Sequence, residues 1–95
     1  MNEKVKFQLG IVVATIGAAY LSDKLNEKNI RLSDYLKRHA AGDWGDINDE
    51  DKQSNNEALE QDLRLLSSYD TPYGKLWIIT EWDRSVTTFL LPSEY

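Results

Sequence analysis

The sequence has no cysteine, so neither a disulfide nor a thiolate metal site can be built from it. Two prolines and five glycines lie mostly between periodic segments, and no repeat or low-complexity tract occurs. No apolar run approaches the ~20 residues that a membrane span needs. The longest, Ile11–Leu21, follows Lys4 and Lys6 and mimics a signal peptide, with Gly17 and Ala19 as a small-residue pair. Gln8, Gly10 and Thr15 interrupt it and Glu3 weakens its basic start, so a strand followed by a helix is expected, in a cytoplasmic protein. The phosphate-binding, dinucleotide-binding, zinc-protease and nucleophile-elbow motifs are all missing, and no cofactor is expected. Asp70-Thr71-Pro72-Tyr73 is one residue from the D-P-P-Y motif of adenine methyltransferases, but 95 residues leave no room for the cofactor-binding sheet. No helix-turn-helix with a basic recognition helix is present either.

What the chain does hold suits one small globular domain spanning residues 1–95: 41% apolar residues, 28% charged, three Trp, five Tyr and two Phe. Folding of such a domain should be worth roughly 5–10 kcal/mol. The net charge of −5 is unevenly spread. Residues 1–42 balance to +3, residues 43–70 to −7 and the remainder to −1. An acidic chain repels phosphate backbones, so direct nucleic-acid binding is disfavoured. The same field suits a basic protein partner, including one that itself binds nucleic acid. On composition alone a solvated acidic helix is the favoured account of the charge.

Apolar residues alternate along Val5, Phe7, Leu9, Ile11 and Val13, which predicts a half-buried strand from Lys4, with a bulge or bend at Gly10. A short helix follows with Ala18, Leu21 and Leu25 on one stripe, ending in the polar stretch 26–29. Ser33 is a candidate N-cap for a second helix over 34–41, with Tyr35, Leu36, His39 and Ala40 on one side and Gly42 as its stop. Asn48 opens a third helix, acidic in its first turn and running to about Gln61, with only Ala58 and Leu59 as apolar anchors. Period two returns from Leu63. Asp70–Gly74 predicts a hairpin turn, Lys75–Trp82 a central strand, and Ser85–Leu91 a returning strand that Pro92 ends. The expected fold is α+β in the order β-α-α-α-β-β-β, an antiparallel meander joined by the N-terminal strand, with helices packed on one side.

Gly42-Asp43-Trp44-Gly45-Asp46 is the most unusual stretch. It admits three readings. Asp43 and Asp46 with His39 could ligate a divalent metal in a small hydrolase or nuclease. Trp44 could be a partly exposed anchor for a partner, since Trp is enriched at interface hot spots. Alternatively the loop is architecture, its aspartates bonded to loop amides and Trp44 plugging the gap between helices and sheet. The expected partner-binding set is Asp43, Trp44 and Asp46 with Asp49, Glu50 and Glu57 of the acidic helix. Glu81, Asp83 and Arg84 form a secondary cluster that could act as an acid/base set or simply as hairpin-end charges.

Three blocks carry a resemblance: Lys6-Phe7-Gln8-Leu9-Gly10 with Val13-Ala14-Thr15 and Gly17-Ala18; Arg38-His39 with Gly42–Asp46; and Trp77-Ile78-Ile79-Thr80-Glu81 with Asp83–Thr88, Leu91-Pro92 and Glu94-Tyr95. In that order they resemble a small family carried on bacterial plasmids, integrative elements and phages. That family usually has Pro where this chain has Ile16. The resemblance implies an accessory role on mobile DNA and names no reaction. The function expected from the whole is a non-catalytic acidic interaction protein, with a metal-dependent hydrolase and a purely structural accessory domain as alternatives.

Overall fold

A computed structural model describes residues 5–95 of the chain. The elements run β1 (Ile11–Ala14), α1 (Ile16–Asn26), α2 (Leu32–Ala40), α3 (Asp49–Gln61), β2 (Leu65–Thr71), β3 (Gly74–Thr80), β4 (Val86–Leu90) and a closing 3-10 turn, Pro92–Glu94. The predicted order β-α-α-α-β-β-β is the observed one. The four strands form one sheet ordered β1-β4-β3-β2, antiparallel except that β1 lies parallel to β4. No described helix is long and apolar enough to cross a membrane.

Local chemistry sets the helix ends. Thr15 caps α1, its hydroxyl accepting from the Ala18 amide. Ile16 is then the first helical residue, where a proline's missing N–H would cost nothing. The helix closes through Asn29, which takes a left-handed φ of 60° so that the Ile30 amide can reach the Leu25 carbonyl. Ser33, expected as the cap of α2, lies inside its first turn. The cap is Arg31, whose amide donates to the Asp34 carboxylate at 3.0 Å, so Asp34 rather than Ser33 supplies the capping oxygen. Asn48 caps α3 as expected, accepting from the Asp51 amide at 2.8 Å.

The N-terminal alternation misled at its start. Only Ile11–Ala14 forms a strand, because Gly10 adopts a φ of +65° and turns the chain beneath the Arg84–Ser85 backbone. A side chain at Gly10 would place its Cβ 2.2 Å from the Ser85 carbonyl oxygen. Before this turn Phe7 packs on Trp44 and His39 instead of entering the sheet. Lys4, the predicted strand start, lies outside the described residues. β3 ends at Thr80, and Trp82 stands exposed in the turn that follows.

One sheet face carries the main core. Ala18, Leu21 and Leu25 of α1 and Tyr35 of α2 pack on Tyr69, Leu76, Ile78 and Phe89. The register aligns these inward positions, Tyr69 opposite Leu76 and Ile78 opposite Phe89. A smaller cluster of Trp44, Ala58 and Leu65, with Phe7, Ile47 and Leu59 against it, joins α3 to the β2 end.

Candidate functional site

The loop after α2 is built by its two glycines. Gly42 (φ +82°) ends the helix, and Gly45 (φ +80°) lets the backbone run directly against β2. A Cβ on Gly45 would lie 2.2 Å from the Ser68 carbonyl oxygen, so the approach needs glycine. Here the Ser68 amide donates to the Trp44 carbonyl (3.1 Å) and the Asp46 amide to the Ser68 carbonyl (2.6 Å). Further along the strand, the Asp46 carboxylate accepts from the Asp70 amide (2.8 Å). The Asn55 side chain of α3 completes the seal, donating to the Leu66 carbonyl at 2.7 Å and accepting from the Leu66 amide at 3.2 Å. Loop and helix together close an edge of the sheet that would otherwise offer free backbone groups.

Each predicted loop residue therefore has an architectural partner. One Asp43 oxygen accepts from the Gly45 amide (3.1 Å) and the other from Arg38 Nε (2.7 Å). The Arg38 guanidinium holds the Asp43 carboxyl below the usual carboxylate range. Trp44 is buried, at 3% exposure, with its indole N–H donating to the Asn56 side chain at 3.0 Å. Its ring stacks on Phe7 and meets His39 edge-on. This corrects the expectation of Trp44 as a partner anchor, because the small cluster leaves its ring no surface to present.

His39 is the centre of a buried polar chain that sequence reasoning did not find. Its Nδ1 lies 2.5 Å from the Ser67 hydroxyl and its Nε2 2.9 Å from that of Thr80. Thr80 is 2.7 Å from Thr87, and Thr87 donates to the Leu9 carbonyl at 2.7 Å. A carbonyl can only accept, which fixes every proton upstream. Thr87 donates to Leu9, Thr80 to Thr87, His39 Nε2–H to Thr80, and Ser67 to His39 Nδ1. Burial, and secondarily the charge of Arg84, push the imidazole pKa down to about 3, so it is neutral at physiological pH. With both ring nitrogens engaged by hydroxyls and Asp43 engaged by Arg38, these residues do not converge on a metal. Among the described residues no cluster of three potential ligands occurs. The signal was present but weak: Ser67, Thr80 and Thr87 all fall on inward strand positions.

The secondary cluster comes apart into separate jobs. Glu81 pairs with Arg64, and Asp83 accepts from the amide and hydroxyl of Ser85. Arg84, at a left-handed φ of 60°, donates through Nη1 to the Leu63, Glu81 and Trp82 carbonyls and through Nη2 to the Ala58 carbonyl. It thus caps the C-terminal end of α3, whose last turn has no basic residue of its own. Arg84→Lys keeps the charge but not the fork. It is expected to cost about 2–3 kcal/mol in urea unfolding, and a loss below about 0.5 kcal/mol would reduce this clamp to a surface contact.

The remaining members of the predicted set, Asp49, Glu50 and Glu57, lie exposed on α3. Among the described residues no α3 carboxylate joins an ion pair; the pairs present are Arg38–Asp43, Arg64–Glu81 and Lys75–Asp70. No protein-family model, curated protein or solved structure matches the chain.

Proposed function

We propose that this protein is a non-catalytic interaction module whose acidic helix meets a basic surface on a protein partner, including one that binds nucleic acid. The observation that carries this reading is the −7 balance of residues 43–70, in which α3 sets five carboxylates against the single Lys52 and none of the five joins an ion pair among the described residues. Asp46 adds charge beside that surface, the charge of Asp43 being offset by Arg38, while Trp44 serves as buried support against Ala58 of the helix. The alternative of a hydrolase through His39, Asp43 and Asp46 draws no support from the geometry of those residues. A setting on mobile DNA rests on the resemblance of the three sequence blocks.

The test is charge reversal. Asp49→Lys/Glu50→Lys/Glu57→Lys should keep a cooperative melt, with a loss of roughly 1–2 kcal/mol from the helix dipole at Asp49 and Glu50. Capture of a basic protein from host lysate should fall by at least about tenfold, and wild-type capture should weaken as salt rises. Equal capture by both proteins would sink the proposal.

A further inference from the structure

The two edges of the sheet are treated in opposite ways. The β2 edge is sealed by Trp44, Asp46 and Asn55, whereas β1 is exposed along its whole length. Ile11 and Thr15 direct their amides inward, to the Ser85 and Phe89 carbonyls. By the alternation of a parallel pair, Val12 and Ala14 then direct N–H and C=O outward. Among the described residues nothing accepts from or donates to them. Natural edges are commonly blunted by lysine, proline or a bulge. Here no charged residue occurs between Lys6 and Asp23.

We infer that the β1 edge pairs with β1 of a second copy of this chain, related by a twofold axis at Val13 and doubling the four-stranded sheet. Three observations favour an identical copy over another occupant. The first is symmetry: antiparallel pairing about Val13 sets Val12 opposite the partner's Ala14, satisfying the outward amides and carbonyls of both in both copies. The second is charge. The chain is acidic overall, so copies repel wherever acids face each other, and β1 itself carries no charged residue, the Glu94 carboxylate standing only at its Thr15 end, at the edge opposite the one α3 and the loop seal. The third is area. Ile11 (69% exposed), Ile16 (86%) and Tyr20 (70%) are exposed along β1 and the start of α1, with Val12 and Val13 half-exposed on the two faces of the strand. Even with the roughly 150–250 Å² of an aromatic side chain taken for each, these five offer at most on the order of 600 Å², the larger part of the ~800 Å² each partner of a standard interface buries.

The test uses the full chain in analytical ultracentrifugation. Wild type should show a concentration-dependent monomer–dimer equilibrium. Val13→Lys, a change on the exposed edge, should weaken it at least about tenfold without altering the circular dichroism spectrum. Because the chain has no cysteine, Val13→Cys should give a disulfide-linked dimer under mild oxidation, and Glu57→Cys should not. A monomer at all concentrations, or a dimer indifferent to Val13→Lys and uncross-linked by Val13→Cys, overturns the inference. A monomer that instead binds an added extended apolar peptide assigns the edge to a different occupant and overturns it equally.

Discussion

Trp44→Ala should lower the unfolding free energy by about 3–5 kcal/mol, leaving little of the roughly 5–10 kcal/mol expected for a domain this size. The ring fills the space between α3 and β2, packed with Ala58 and Leu65 and stacked on Phe7. No neighbouring large side chain is free to refill it, since Phe7 and His39 are each held by other contacts. The truncation also leaves the Asn56 carbonyl oxygen without its indole donor. Trp44→Phe separates the two contributions, restoring most of the packing and losing mainly the hydrogen bond, for about 1–2 kcal/mol. The readout is urea unfolding at constant m-value. A loss below 1 kcal/mol for the alanine variant would mean that the indole is not buried in solution, and would return Trp44 to the surface as an anchor.

The contrast between this loop and the rest of the chain shows what a sequence discloses. Helix α1 was legible because Ala18, Leu21 and Leu25 repeat at helical spacing, and the structure buries those three. The cap of α3 was legible because Asn48 and Asp51 stand at the right interval. The hairpin at Pro72 was legible because a two-residue turn needs its own chemistry, and Thr71 and Gly74 do pair across it. Alternation from Val5 to Val13 failed before Gly10, where the bend expected within the strand is instead the turn that precedes it. The turn at Gly10 and the demand for Phe7 under Trp44 outweigh strand propensity there.

The loop residues were singled out correctly and their roles left open, because the deciding partners lie far along the chain. Trp44 needs Asn56 and Leu65, and Asp46 needs Asp70. Arg84 looked like a hairpin charge, and only the fold brings the end of α3 to its guanidinium. Parts of the three sequence blocks likewise meet in space. Gly10 lies under Ser85, Phe7 against Trp44, and Glu94 accepts from the Thr15 hydroxyl and the Gly17 amide. Their spacing along the chain gave no hint of this.

Acid should unfold this protein earlier than its surface carboxylates alone would dictate, and His39 is the reason. In the unfolded chain the imidazole takes up a proton as pH falls through about 6.5, whereas in the fold it resists until about 3. The folded pKa is depressed, so its neutral form contributes stability that is fully present above 6.5 and drains away as pH drops. The slope reaches ~1.4 kcal/mol per pH unit, and the total loss by the lower limit is about 4–5 kcal/mol. Protonation is resisted because the ring is fully buried between Phe7 and Trp44, with Nδ1 accepting from Ser67 and the positive charge of Arg84 nearby. A proton on Nδ1 would break the single direction of the hydroxyl chain, since Ser67 would face a donor where it now finds an acceptor. Asp43, Asp83 and Glu94 have lowered pKa values, so their share begins to drain only as pH falls through the ordinary carboxylate values at which the unfolded chain takes up those protons, and is gone once pH passes below their folded values. The window from pH 6.5 to about 5 therefore belongs to His39. Thermal melts of wild type and His39→Gln across that window check the claim. The variant should be less stable at pH 7, by about 1–3 kcal/mol, but nearly flat where wild type declines. Parallel decline of the two proteins would show that the imidazole is not held neutral in the fold.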